Sequence, residues 1–325
     1  MNTLRYICKR LLLVIPLLIV ISVLAFLLSN LSSGDVASVA IRNEGGIVND
    51  VTLAAKREEL GLDKPLAVQY LNWLSKAARL DFGNSFTTKK PVIYEIGRRF
   101  PATLELALMA TLIAVALSVP FALISVRYKD KLPDFIIRVL TTVGATMPNF
   151  WLGLLLLFFF AIQLGVVPVI SGSKFSNIFL PAFVMSLEHM ALYTRLLRGS
   201  IIQVMDSGYI KAARTKGLTY WAVMLKHALR NAVLPCMTLL TTNLSGLICG
   251  SFAIETIFSW NGIGKFAVES VKSKDLPVVE GYIMAVALTY ILINLIMDIV
   301  YSYVNPRIRL EGGKSWWQRE QKRAA

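Results

Sequence analysis

Six long apolar runs, separated by charged or Pro- and Gly-containing connections, constrain this chain more than any other feature. A helix that crosses the hydrocarbon core of a bilayer needs about 20 mostly apolar residues. Inside lipid every backbone amide and carbonyl must find a partner within the protein, so such runs fold as helices. The runs lie over residues 11–31, 102–126, 135–164, 178–197, 234–258 and 278–303. The third contains Pro148, the fourth Glu188 and His189, the fifth many Thr, Ser and Gly, and the sixth Asp298 near its end. The expected fold class is an all-α integral membrane protein of about six transmembrane helices.

Charge gives the orientation. The net charge of +14 on 325 residues would point to nucleic acid in a soluble protein, yet 55% of the residues are hydrophobic and only 17% charged. The basic residues also fall on alternate connections, as the positive-inside rule requires. Arg5, Lys9 and Arg10 precede the first run. Arg127, Lys129 and Lys131 follow the second, Lys211, Arg214, Lys216, Lys226 and Arg230 follow the fourth, and Arg307 and Arg309 follow the sixth. These sides, and both termini, are expected in the cytoplasm. The connection with Lys174, and the one mixing Lys265, Lys272 and Lys274 with Glu269 and Asp275, suit the outer side. The long charge-mixed stretch 32–101 must also be external for the count to close. The first run is about twice the length of a usual signal core and no small-residue cleavage site follows it, so it reads as a retained anchor. Cys8, Cys236 and Cys249 form neither a disulfide framework nor a metal-ligand spacing.

Local signals subdivide the connections. In the external stretch, Asn49 and Asp50 are placed to cap a helix over 51–60 that Gly61 ends. Pro65 then opens an amphipathic helix over 66–80 with Leu66, Tyr70, Trp73, Leu74 and Ala77 at helical spacing. These helices serve equally as a cover over the span ends and as a docking surface or gate. Pro148 lacks an amide hydrogen and biases Met147 away from helical angles, which predicts a kink or break at Met147-Pro148-Asn149. Packing alone and pore lining both explain such a break. Between Arg195 and Arg230 the pattern is helix, glycine, helix: residues 205–216, a break at Gly217, then a second helix capped by Thr219 and carrying Trp221, Val223, Met224 and Leu225. Pro235 is expected to restart the chain at the membrane.

This helix-glycine-helix element resembles the cytoplasmic EAA motif of ABC importer permeases. It stands here as Lys211-Ala212-Ala213-Arg214-Thr215-Lys216-Gly217, closed by Val233-Leu234-Pro235, with Lys211 in place of the motif's glutamate. Leu60 to Leu66, Gln69-Tyr70, Trp73-Leu74, Asp81-Phe82-Gly83, Pro101 to Leu106, Met147 to Trp151, Arg195 with Arg198, Glu255 to Gly264, Asp275 to Val278 and Asn305 to Arg309 extend the likeness over essentially the whole chain. They are similar to the first permease of dipeptide, oligopeptide, glutathione and nickel importers. Asp130 to Phe135 is nearest the nickel permeases.

The resemblance implies a subunit that pairs with a second, similar permease, two ABC ATPases and an extracytoplasmic substrate-binding protein in a bacterial inner membrane. Peptides or metal chelates such as nickel complexes would be the cargo. ATP and Mg would be bound by the partner ATPases, with no cofactor or metal held by this chain. Lys211, Ala212, Ala213, Gly217 and Leu218 would couple ATPase closure to the spans. The organisation implied is a cytoplasmic N-terminus and first span over 1–31, an external helical segment over 32–101, a permease core over 102–305 with its coupling loop at 199–230, and a cytoplasmic tail over 306–325. Gly313-Lys314-Ser315 mimics the end of a phosphate-binding loop, but Ile308 stands at the leading glycine position.

For the path, Met147, Pro148 and Asn149 join a weakly polar stripe of Thr238, Thr241, Thr242 and Ser245 beside Cys249. Gly246 and Gly250 form a small-residue pair that also favours close helix packing. Glu105, Glu188, His189, Glu255 and Asp298 are ionisable residues within spans, a costly placement that directs them toward protein or water. His189 reads as a hydrogen-bonded structural residue rather than a ligand. The alternative mechanistic class is an ion-coupled secondary transporter, which predicts inverted repeats. An intramembrane enzyme would require catalytic motifs that the sequence lacks.

Overall fold

The computed structural model describes residues 3–31, 35–43, 45–169 and 177–304, with backbone alone at 3–13, 30–31 and 298–304. The expectations for Lys174, the side chains of Arg5, Cys8, Lys9, Arg10 and Asp298, and the tail 306–325 with Gly313-Lys314-Ser315 lie outside the described residues. Among the described residues the fold is helical, with one isolated antiparallel bridge between Asn84 and Pro91.

Helix α1 (Thr3–Leu31) is followed by three short helices, α2 (Val36–Asn43), α3 (Asp50–Leu60) and α4 (Leu66–Ala77). The caps read from the sequence are present: Thr52 N donates to Asn49 Oδ1 at 2.8 Å, Asn49 N donates to Thr52 Oγ1 at 3.0 Å, and Gly61 leaves α3 at φ +67°. Helix α4 lies against α1 through aromatic contacts, Phe26 to Tyr70 at 5.6 Å and Phe26 to Trp73 at 6.1 Å between ring centroids, and Ser22 Oγ is 2.8 Å from Tyr70 Oη.

Helix α5 (Val92–Arg127) and helix α8 (Phe179–Met205) form the centre of the bundle. Ala107, Ala110, Ala114, Ser118, Ala122 and Ser125 recur every three or four residues on one buried face of α5. Small side chains let two helix backbones approach closely inside a membrane. The larger residues that complete the core, among them Val184, Met185, Met190, Leu197 and Ile201, come from α8.

Helix α5 begins at Val92 rather than at the expected 102, and Pro101 lies within it. Packing sustains the extension, because Val92 and Ile96 are buried against Ile263, Phe266 and Val278. The third run is broken as predicted: α6 (Leu132–Thr146) and α7 (Asn149–Leu157), the latter continued by a π-helical turn Phe158–Gln163, meet at 104°. Met147 and Pro148 are extended there, with ψ 131° at each.

After α8 come α9 (Gly208–Thr215) and α10 (Tyr220–Ala222). The latter continues through a π-helical segment Val223–Ala228 into α11 (Leu229–Gly250). The chain does not restart at Pro235, which sits inside α11. One missing amide is tolerated because the preceding turns are anchored by the buried Ala228 and Ala232. Helices α12 (Phe252–Ile257), α13 (Ile263–Lys272) and α14 (Leu276–Val304) complete the described chain.

Among the described residues three helical stretches are long and apolar enough to cross a membrane, Val92–Arg127, Tyr220–Ile257 and Leu276–Met297, and the bent α6–α7 pair makes a fourth when counted as one. In α1 the described apolar part is Val14–Ser29. Helix α8 is long but interrupted by Glu188, His189, Arg195 and Arg198, and much of it is buried against its neighbours.

Candidate functional site

The helix-glycine-helix element is built from a turn at each end. Asp206 ends α8 and Ser207, extended at φ −70° and ψ 151°, redirects the chain, so the first helix starts at Gly208 and not at Met205. Gly217 adopts φ +81°, a left-handed conformation that a side chain disfavours, and a Cβ there would meet nothing within 4 Å. Thr219 caps the next helix, accepting from Ala222 N at 3.4 Å. The Tyr220 ring lies 5.0 Å from the Arg127 guanidinium and 5.9 Å from that of Arg214, which ties α10 to the ends of α5 and α9.

The pair is anchored by Ile210, Val223 and Met224, fully buried against Val126, Leu197, Ile201 and Met205. The opposite face is open. Lys211, Ala212, Gly217 and Leu218 are exposed and Ala213 is half-buried. Tyr209, Trp221 and Leu225 are exposed as well. This leaves an uncovered surface of small and apolar side chains edged by lysines and arginines.

Next to that core, three helices are pinned together. Asp134 at the start of α6 is fully buried, and Arg198 of α8 donates to it twice, Nε to Oδ1 at 3.0 Å and Nη2 to Oδ2 at 2.8 Å. Ser125 of α5 donates its hydroxyl to the same carboxylate, and Asp130 N donates to Oδ2 at 3.0 Å. A buried ion pair is tolerated when such hydrogen bonds fill the remaining lone pairs. The helix that continues toward α9 is thereby joined to the first half of the broken span.

At the break, Asn149 Nδ2 donates to Glu188 Oε2 at 2.9 Å, linking α7 to α8. His189 places Nδ1 3.4 Å from the Met185 carbonyl and its ring edge-on to Tyr193, a hydrogen-bonded setting within one helix. On α11 the expected stripe divides. Thr238 and Thr242 are exposed, in line with Gly246 and Gly250, whose Cβ positions are open; Thr241 is half-buried. Ser245 does not share that face, because it turns into the bundle and is fully buried.

The far end of the bundle is organised around three buried carboxylates. Glu255 Oε1 accepts from Thr103 Oγ1 and Ser251 Oγ, each at 2.7 Å, and Oε2 accepts from Lys265 N at 2.9 Å. Thr103 Oγ1 in turn accepts from Ile263 N at 2.9 Å, and Trp260 Nε1 donates to the Ala102 carbonyl at 2.8 Å. A Cβ on Gly262 would collide with the Glu255 carboxylate and the Thr103 hydroxyl. Asp275, before α14, accepts from Ser85 Oγ at 2.6 Å, Phe86 N at 3.0 Å and Thr87 N at 3.0 Å, which clasps the turn preceding α5. Glu95 pairs with Arg99 and, at 3.4 Å, with Arg98. The sequence offered Glu255 as an ionisable span residue, but not its partners, which lie far away along the chain.

Comparison with known proteins places this architecture. Residues 118–310 match the family model described as binding-protein-dependent transport system inner membrane component, and residues 3–107 match the N-terminal model of such membrane components. The chain is 35% identical over 306 residues to the glutathione transport system permease protein GsiC of Escherichia coli (strain K12), covering 94% of this chain and 99% of the relative. The GsiC of Salmonella typhimurium is 34% identical over the same length. Among solved structures, an inward-facing MetNI methionine ABC transporter superposes with a TM-score of 0.53 at 14% identity, covering 66% of this chain and 97% of that one. An amino acid ABC transporter crystallised with histidines gives 0.51 at 20% identity, covering 66% and 94%. The chain therefore belongs to the binding-protein-dependent transport system inner membrane component family and is a multi-pass inner-membrane permease subunit of an ABC importer.

Proposed function

We propose that this permease forms half of a translocation path for small peptides of the glutathione type, driven by ATPases that dock on the α9–Gly217–α10 element. In this reading the chain crosses the membrane six times with both termini in the cytoplasm. Residues 32–101 lie outside beneath a substrate-binding protein, 102–305 form the core with its coupling loop at 199–230, and 306–325 form a cytoplasmic tail. The observation that carries the reading is the open face around Lys211, Ala212, Ala213, Gly217 and Leu218, held on a rigid base by Ile210, Val223 and Met224. Exposed apolar side chains at the tip of an otherwise anchored element are what a partner would cover.

Pushing on such an element moves α8, and the Asp134–Arg198 pair carries that movement to α6 and the break at Met147-Pro148-Asn149. Thr238 and Thr242, exposed beside Gly246 and Gly250, face the path or the second permease, with Thr241 at the margin. Ser245 serves the bundle interior. Hydrolysis of ATP belongs to the partner subunits, so that the chain's own task is mechanical. The GsiC relatives carry a glutathione description, which favours peptides over nickel chelates as cargo.

The test is Gly217→Trp in the assembled transporter. The expected result is normal membrane insertion with ATPase activity no longer stimulated by loaded binding protein, and uptake reduced at least about tenfold. Uptake at the unmodified rate would overturn the coupling assignment.

A further inference from the structure

At the end of the bundle opposite the coupling element, a cavity of about 350 Å³ opens between the start of α5 and the start of α13. Its size lies at the lower end of the range for small-ligand sites. Arg98, Arg99, Asn261, Gly262, Lys265 and Phe266 line it, and Glu269 contributes one carboxylate beside Lys265, so that three cations face one acid. Arg99 is held from two sides: Nη1 donates to the Glu95 carboxylate and, at 3.2 Å, to the Glu95 carbonyl, and the guanidinium stacks over the Phe266 ring at 4.0 Å from its centroid. Both bonds use the same nitrogen. The Nε and Nη2 edge, the fork that matches a carboxylate with two parallel hydrogen bonds, makes no bond to a described residue. Arg98 is half exposed and touches Glu95 only at 3.4 Å, and Lys265 reaches Glu269 only at 3.7 Å. Glu255, behind Gly262, has its oxygens occupied by Thr103, Ser251 and the Lys265 amide. The recognising element is therefore an oriented guanidinium fork flanked by two loosely paired cations.

We propose that this cavity binds the C-terminal carboxylate of the transported peptide at the outer mouth of the permease, with Arg99 as the fork and Arg98 and Lys265 as flanking charges. The proposal rests on the import of small peptides argued above. Its mechanical sense is orientation. Phe266 and Glu95 fix Arg99 before the ligand arrives, so little side-chain freedom is lost on binding. A peptide released above the path would then be held by one end at the outer rim.

The test uses the complete transporter with its binding protein in proteoliposomes, with ATP-driven uptake of glutathione and of its glycinamide analogue as the two probes. Wild type is expected to favour the acid. Arg99→Lys, which keeps the charge but lacks the fork, and the double variant Arg98→Gln/Lys265→Gln, which leaves the Glu95–Arg99 pair intact, are expected to lower uptake of the acid about tenfold, the size expected for lost hydrogen bonds to a charged group. Uptake of the amide should stay within about twofold. A wild type without preference, or variants that retain it, would overturn the site and leave the import reading in place. So would a loss of affinity for the empty binding protein in these variants, which would give the cradle to a carboxylate of that partner. Absence of ATP-driven uptake of both probes by wild type would remove the peptide reading and this site with it.

Discussion

Two glycines at opposite ends of the molecule show how differently those ends are built. Gly217 sits at φ +81° with open space where a Cβ would be, whereas Gly262 sits in ordinary extended backbone with Glu255 and Thr103 pressed against it. The first is required by backbone conformation and the second by volume. Around Gly262 the buried polar side chains Glu255, Thr103 and Ser251 and the Lys265 amide satisfy one another within the chain. Around Gly217 the small and apolar side chains are left uncovered. A rim whose polar groups are satisfied within one chain is a fixed frame; an element anchored on one face and bare on the other is the surface that the proposed docking would cover.

The sharpest break of this contrast is Glu255→Ala. It leaves the Thr103 hydroxyl and the Lys265 amide without their acceptor, while Ser251 keeps the Ile248 carbonyl at 3.1 Å, and a loss of about 4 kcal/mol is expected from the two unsatisfied groups together. Thermal unfolding of the detergent-solubilised protein checks this, and a melting temperature equal to wild type would show that the rim is not self-supporting. Next is the glycine pair itself. Gly262→Ala should cost about 3 kcal/mol by overpacking, but Gly217→Ala only about 1 kcal/mol, the penalty of a left-handed alanine. Equal losses would erase the distinction between volume and conformation. The smallest effect on stability belongs to single cysteines at Ser75 and Lys216, both exposed positions, in a chain freed of its own cysteines. An impermeant thiol reagent applied to cells with a permeable outer barrier should label Ser75→Cys before lysis and Lys216→Cys only after it. The reverse order would invert the assignment of outer rim and cytoplasmic element.

Features that depend on neighbours in sequence were legible. The Asn49 cap, the Gly61 stop, the break at Met147-Pro148, the Gly217 turn and the Thr219 cap all stand where the residues put them, because each is decided by one backbone conformation or one short hydrogen bond. Features that depend on contacts between helices were not. The small-residue face of α5 is plain once α8 lies against it, yet Ala107, Ala110, Ala114 and Ala122 are unremarkable within an apolar run. Asp134 looked like part of a short charged connection until Arg198 was brought to it. The inward turn of Ser245 and the outward turn of Trp221 and Leu225 likewise follow from which neighbours arrive, not from the spacing.

The sequence by itself determined an all-helical membrane chain, its breaks and caps, and the residues of the helix-glycine-helix element, since hydrophobic length, proline and glycine act locally and leave their mark in order along the chain. Only the tertiary structure decided which polar residues are spent on holding helices together and which are left exposed. A buried carboxylate has to be hydrogen-bonded, and the donors that satisfy Glu255, Asp275 and Asp134 come from segments as distant as Thr103, Ser85 and Arg198, which folding alone brings within reach.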